Sequence, residues 1–524
     1  MAAKVYKPAA EVNLGPDSDE FYISPNVKAP RVAGLLVKIF VWILEMPIIG
    51  SMVLYILKKD NLINKNVCLT KPDLSPPERV QEAVSCLPAS LESTLAGSPP
   101  SSPKRWTIRD FNRAYSSGEV TPVQVAKRFL AAVKECSGPG LNMAFFISYS
   151  PEDIIRQAEE STLRYQRGGT RWLGRARACA ADAAVVAQLR ACGAVLAGKT
   201  NMHELGAGTS GINPHHGSTR NPHNPGRVSG GSSSGSAAAV CAGLCPVALG
   251  VDGGGSVRMP AALCGVVGFK PTAGRLYSAI VDQSQPSYLR PELNLPLLKS
   301  SLSIKNIKLA KYAKWFNDSS EDIRSCCDKS LQMLHAHYGW ETLDVTIPEI
   351  EEMRLAHYVT IGSECTASLA KYLDKLKRSE IGWDVRVALG VYGSFSSRAY
   401  LNSQRLRNRQ MYFHKEIFKT ADVIVSPMTG VTAYKLQDDA LKSGELDYIN
   451  GAALVRYSIA GNFLGLPAIT VMVGYDKAGL PIGLQFIGRP WSEATLLHIA
   501  FAMQEACKKH YKKPEVFYDL LKKD

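Results

Sequence analysis

What most constrains this chain is Ser229–Thr272, SGGSSSGSAAAVCAGLCPVALGVDGGGSVRMPAALCGVVGFKPT, where two Gly/Ser-rich turns bracket an apolar segment. Consecutive glycines let backbone N–H groups approach a developing negative charge, because no Cβ stands in the way. A serine ending such a turn brings a hydroxyl to the same place, and Ser256 follows Gly253, Gly254 and Gly255. Around these turns Ser236–Leu244 reads as helix, Val247–Val251 as strand, Val257–Leu263 as helix and Val266–Phe269 as strand. Helix followed by strand, repeated, is the pattern of an α/β fold.

The flanks carry the same pattern. Thr121 before Pro122 predicts an N-cap, and Val123, Val125, Ala126, Phe129, Leu130 and Val133 follow at helical spacing. Asp153–Tyr165 and Ala183–Cys192 read as further helices, and the apolar run Ala194–Ala197 predicts a buried strand. Val423–Val425 and Ala468–Val473 are strand-like, with Ile482–Ile487 a hairpin partner across the turn Asp476–Pro481. The expected architecture is a mixed, largely parallel, twisted sheet flanked by helices. A Ser/Pro linker, Ser98–Pro103, divides an N-terminal extension (1–105) from the body (106–524).

Within the extension, Gly34–Leu57, GLLVKIFVWILEMPIIGSMVLYIL, is long enough to cross a bilayer but contains Lys38, Glu45 and Pro47. A spanning helix would bury both charges. Two short helices broken at Pro47, lying in a membrane interface or packed on the body, keep Lys38 and Glu45 wet and let Lys58 and Lys59 meet headgroups. Residues 1–30 lack the basic start, apolar run and cleavage site of a secretory signal. The net charge of +14 comes from scattered Lys and Arg without interleaved aromatics, so a basic face toward an anionic membrane is expected and a nucleic-acid partner is not. The twelve cysteines include no C-x-x-C pair, and Cys241, Cys245 and Cys264 sit among apolar residues, as in a cytosol-facing protein. Histidines 215 and 216 are adjacent, but no H-x-x-x-H pair occurs, so neither a metal nor a cofactor is expected.

Several readings of the two turns are open. Gly231–Gly235 matches a G-x-S-x-G elbow centred on Ser233, though it follows no clear strand. A phosphate-cradling loop would need a Lys-Ser/Thr ending that is missing. A tight turn packing helix on strand explains one such turn more easily than two.

The stretch GGSSSGSAAA followed by GVDGGGSVRMPAALCGVVGFKPT resembles the amidase signature family, and NMHELGAGTSG (Asn201–Gly211) and LGLPAITVMVGYDKAGLPIGLQFIGRPWSEATLL extend the likeness over nearly the whole chain. The flanks, with the apolar start, are most similar to plant members that act on fatty acid amides. The resemblance implies a Ser-Ser-Lys hydrolase cleaving N-acylethanolamines, with a lipid amide as substrate, no cofactor, and a membrane-associated, cytosol-facing setting at the endoplasmic reticulum or plasma membrane. It leaves open a homodimer, another amidase of the same fold acting on small amides or as the glutaminase component of an amidotransferase, and a non-catalytic lipid-amide binding protein. Carried over by position, Ser256 is the acylated nucleophile, Ser232 the relay, and the N–H groups of Gly253, Gly254, Gly255 and Ser256 the oxyanion hole. Gly206 falls where the family lines its acyl channel. Arg258 either orients the turn or is an ordinary arginine.

Two departures stand out. The family's lysine lies on a strand upstream of both turns, in a segment resembling G-V-P-V-A-V-K-D. Here Tyr165–Thr170 runs directly into Arg171-Trp172-Leu173. Lys134 ends a helix and Lys199 matches another family position, so neither inherits the role of base. After Arg275 a glycine-rich, substrate-facing loop of the family is replaced by LYSAIVDQSQPSYLRPELNLPLL. Two clean losses from a colinear chain look like skipped exons or an imperfect gene model. Losing a core strand is expected to expose apolar edges and to impair turnover.

Overall fold

The computed structural model describes residues 7–25, 31–60, 106–166, 184–191, 193–273, 306–373 and 380–522. A short strand β1 (Val32–Ala33) leads into two helices, α1 (Gly34–Leu44) and α2 (Pro47–Asp60), bent by 109° at the break before Pro47. The inner side chains Val41 and Leu44 pack against Val387. The charges expected to stay wet are instead used for docking. Glu45 accepts two hydrogen bonds from Arg386, Lys38 lies over the Trp383 ring, and Lys58 Nζ donates to the Ser394 carbonyl at 2.9 Å. On the outer side Leu35, Leu36, Ile39, Trp42, Ile48 and Met52 are exposed. No single described helix is long and apolar enough to cross a membrane.

The body begins with α3 (Ile108–Ser116) and α4 (Pro122–Ser137), the latter started by a capping box between Thr121 and Gln124. Its Val125, Ala126, Phe129 and Val133 are buried, as their spacing predicts. Then come β2 (Phe146–Ser148), α5 (Pro151–Gln166), α6 (Ala184–Ala191) and β3 (Lys199–Thr200), with β3 antiparallel to β2. A small ladder of β4 (Arg220–Asn221) and β5 (Asn224–Val228) precedes α7 (Ser234–Cys241), α8 (Arg258–Cys264) and β6 (Gly268–Lys270). The rest comprises β7 (Lys308–Lys311), α9 (Glu321–Tyr338), β8 (Glu341–Asp344), α10 (Ile350–Leu373), α11 (Trp383–Gly393), α12 (Ser397–Ile417), β9 (Val423–Pro427), β10 (Glu445–Leu446), α13 (Tyr448–Val455), α14 (Ile459–Phe463), β11 (Ala468–Tyr475), β12 (Pro481–Gly488) and α15 (Glu493–Cys507).

The central sheet has the order β6-β11-β12-β9-β7-β8. It is mixed, but its pairing is less parallel than expected: β7 runs parallel to β8 and β9, while β6, β11, β12 and β9 are joined by antiparallel ladders. The cause is the β11–β12 hairpin, whose short turn forces antiparallel pairing at the centre. Nearly every residue of β11 and β12 is buried. On one face Ile469, Val471, Leu484 and Phe486 pack with Leu334 of α9 and Leu496 and Met503 of α15. On the other, α8 lies across the hairpin: Ala261 and Ala262 take the places where side chains at Gly268 and Gly483 would intrude.

Two expected strands do not form. Residues 194–197 and 247–251 join no ladder with a described strand, and Val195, Val247, Leu249 and Val251 are 36, 59, 43 and 71% exposed. An extended segment becomes a strand only when a neighbour takes up its N–H and C=O groups. Here side chains take up some of these groups instead: Ser233 Oγ accepts from Val251 N–H, Ser236 Oγ donates to the Leu249 carbonyl, and Gln157 Oε1 accepts from Leu196 N–H. The Ser98–Pro103 linker, the Arg167–Arg171 junction and the segment after Arg275 lie outside the described residues.

Candidate active site

The first serine turn is fixed by its neighbours. Asn201 donates to the carbonyls of Ala144 and Gly217, and its own carbonyl accepts from Gly235 N–H. A side chain at Gly235 would stand 2.5 Å from the Asn201 nitrogen, which is why glycine occupies the second position of α7. The backbone then joins three segments: His203 N–H donates to the Ser232 carbonyl at 2.9 Å, and Ser233 N–H to the Ser256 carbonyl at 3.1 Å.

The four serines of this turn separate by function. Ser233, Ser234 and Ser236 all use their hydroxyls structurally, on Val251, on Thr219 and on Leu249. This accounts for Ser233 without an elbow nucleophile. Ser232, 2% exposed, makes no side-chain hydrogen bond with any described residue and lines a cavity of about 460 Å³. Ser256 lines the same cavity, as do Gly253, Gly254 and Gly206. Gly206 has a φ of +70°, and a Cβ there would sit 3.6 Å from Ser232 Oγ.

The second turn is built around Asp252. Its carboxylate accepts from Gly255 N–H at 2.7 Å, from Val257 N–H at 3.3 Å and from the Arg258 guanidinium at 3.0 Å. Arg258 is fully buried and also reaches Gln485, Asn462 and the Ser458 carbonyl. Burial alone would raise the Asp252 carboxyl, but the Arg258 charge and its hydrogen bonds, with those of Asn462 and Gly255, hold it well below the usual range. Three successive carbonyls are tied as well: Asp252 O by Asn462 Nδ2 at 2.5 Å, Gly253 O by His357 Nε2 at 2.8 Å, and Gly254 O by Ser458 Oγ at 2.7 Å. Gly255, at φ +106°, packs on Ser458 where a Cβ would be 2.6 Å away. With Gly255 N–H taken by Asp252, the donors left without a described partner are the N–H groups of Gly253, Gly254 and Ser256. Arg258 therefore orients the turn.

The walls of the cavity are mostly apolar, with Leu205, Met259, Leu355, Ile361, Val391 and Ile459, and Leu57 and Lys58 bring α2 into the same wall. Tyr358, Tyr392 and Tyr448 contribute phenols that burial keeps neutral, Tyr448 being pushed up to about 12. His203 and Asp384 also face it, both buried, with Nε2 3.5 Å from Oδ2, while His203 Nδ1 has no partner among the described residues.

Of the described lysines Lys58 alone lines the cavity, and it is hydrogen-bonded to Ser394. Lys134 and Lys199 are exposed on α4 and β3. Lys270, on which burial and the nearby Arg258 act to lower the ammonium to about 8, donates to the Pro271 carbonyl and does not line the cavity. Sequence reasoning passed over Asp252, His357, Ser458 and Asn462. Asp252 lies within the motif and was recoverable from its spacing to Arg258, whereas the other three arrive from distant helices.

A sequence model of the Amidase family matches residues 169–290 and 279–497. The fatty acid amide hydrolase of Arabidopsis thaliana is 41% identical, with 99% of each chain covered. That alignment runs over 604 positions against a chain of 524 residues, so at least 80 positions of the relative have no counterpart here. One component of the glutamyl-tRNA(Gln) amidotransferase of Neisseria meningitidis is 29% identical, covering 78% of this chain and all of its own. Among solved structures, a bacterial aryl acylamidase of the amidase signature family shares the fold with a TM-score of 0.67 at 21% identity, over 78% of this chain and 98% of its own.

Proposed function

The chain belongs to the amidase family of amide-hydrolysing enzymes, and from that membership we propose that it cleaves fatty acid amides, N-acylethanolamines foremost, through an acyl ester on Ser256. One observation carries the reading. Among the described residues Ser232 and Ser256 have no side-chain partner and the N–H groups of Gly253, Gly254 and Ser256 none either, and the two serines face a largely apolar cavity beside those groups. In this reading Ser256 Oγ attacks the amide carbon, and the charge developing on the carbonyl oxygen meets those three donors. The Ser256 proton passes to Ser232 Oγ, which releases its own to the departing nitrogen, so ethanolamine leaves as the neutral amine. Water then attacks the ester, and the fatty acid departs along the apolar walls.

Turnover is proposed to be severely reduced. A hydroxyl relay needs a base behind it, and no described lysine in the cavity is available for that role. Binding without turnover is the second reading, favoured by the same observation. The amidotransferase alternative is disfavoured because relatives of that kind leave about a fifth of the chain unmatched, whereas the fatty acid amide hydrolase matches it end to end. The exposed side of α1 and α2 supports association with a membrane surface on its cytosolic face.

Purified chain should be assayed for N-acylethanolamine hydrolysis and for labelling by a fluorophosphonate. Weak hydrolysis and slow labelling, both lost in Ser256→Ala, are expected. Rates typical of the family would overturn the impairment, and labelling that survives Ser256→Ala would overturn the nucleophile.

A further inference from the structure

We infer that His357 is a positioning residue for acyl transfer: by donating to the Gly253 carbonyl it orients the Gly254 N–H toward the developing oxyanion. The inference rests on the acyl-Ser256 reading above. A triple-glycine turn has little conformational preference of its own, so the direction of its N–H groups must be imposed from outside. A peptide unit is planar, and fixing a carbonyl therefore fixes the N–H of the next residue. The Gly253–Gly254 unit joins two residues whose N–H groups both remain without described partners. His357 Nε2 reaches its oxygen at 2.8 Å.

The acceptor is a carbonyl, so Nε2 carries the hydrogen. The imidazole is itself immobilised: it is 8% exposed, and it meets the Phe463 ring edge-on at 5.9 Å. A side chain at Gly254 would stand 3.3 Å from His357 Cε1, so glycine is what allows this approach. The neighbouring carbonyls are held by Asn462 and Ser458, which arrive with α14 and the turn before it. His357 comes from α10, and its ring also forms part of the cavity wall. It is thus the group through which α10 sets the oxyanion donors.

The test compares two ligands on the full chain: an acyl trifluoromethyl ketone, which forms a tetrahedral oxyanion on Ser256, and the alcohol of the same chain length, which does not. His357→Phe keeps the ring and its packing on Phe463 but removes the donor. His357→Gln keeps a donor. The Phe variant should weaken the ketone by about 10²-fold, in the range for a lost oxyanion donor, leave the alcohol unchanged, and the Gln variant should recover most of the loss. Equal weakening of both ligands, or of neither, would overturn the positioning role. If wild-type chain binds the ketone no more tightly than the alcohol, the acyl-Ser256 reading fails, and this role with it. A thermal unfolding midpoint for each variant separates loss of the fold from loss of the donor.

Discussion

His357 and His414 sit in different helices and share one electrostatic state. Burial pushes each imidazole down to about 4, against hydrogen bonds to Gly253 O and Gln410 O that act the other way. In the unfolded chain a histidine titrates near 6.5. Below that pH the unfolded chain binds protons that the folded chain refuses, so stability falls as pH drops from about 6.5 to about 4 and levels off beneath. Each full shift corresponds to roughly 3 kcal/mol. Asp252 acts at lower pH, its contribution being lost as pH falls through its depressed folded value. Urea unfolding across this range should show the loss, and His414→Gln should retain more stability between pH 6.5 and 4 than wild type. An unchanged pH curve in that variant would exclude His414 as a source. At this scale the two serines, their glycines and Arg258 were legible because they lie within 27 positions of one another. His357, Ser458 and Asn462 were not: 104 to 210 positions separate each from the carbonyl it holds, and no local pattern encodes such a contact.

Among the elements, α1 and α2 pack one side of the apolar stretch on the body. The break at Pro47 was legible, since proline cannot continue the preceding helix. The destination of the charges was not, because Arg386 and Ser394, which receive Glu45 and Lys58, belong to a remote part of the chain. Inner side chains bind the body while Trp42, Ile48 and Met52 remain exposed, and exposed apolar side chains grouped on one helix pair are a candidate contact surface. Sedimentation with anionic phospholipid vesicles should therefore bring the chain down, and Trp42→Ser combined with Ile48→Ser should leave most of it in the supernatant. Wild-type chain that stays in solution at low salt would remove the membrane role of this pair. The strands of 194–197 and 247–251 were misread for a related reason: their composition suits a sheet, but pairing depends on a neighbour that the same segment cannot report.

For the molecule as a whole, the mixed sheet and its hairpin core are in place, while Val195, Val247 and Val251 stay exposed on segments that join no ladder among the described residues. The relative's at least 80 additional positions have no counterpart in a chain whose central sheet is nonetheless formed. Reinstating a lysine-bearing strand between Gln166 and Arg171 should raise the unfolding midpoint and turnover together, the latter by about 10² to 10⁴, as restored acid–base catalysis does. Replacing the reinstated lysine by alanine should cancel the gain in turnover and keep the gain in midpoint. If turnover rises with the midpoint unchanged, the open edge at 247–251 is not where the strand docks. A last consequence comes from Leu57, which closes a wall of the cavity at the end of the helix that carries the exposed Ile48 and Met52. For a protein seated on a bilayer through that helix, the governing concentration is areal: substrate is met as a mole fraction of the leaflet, and added inert lipid acts as diluent although the volume of water is unchanged.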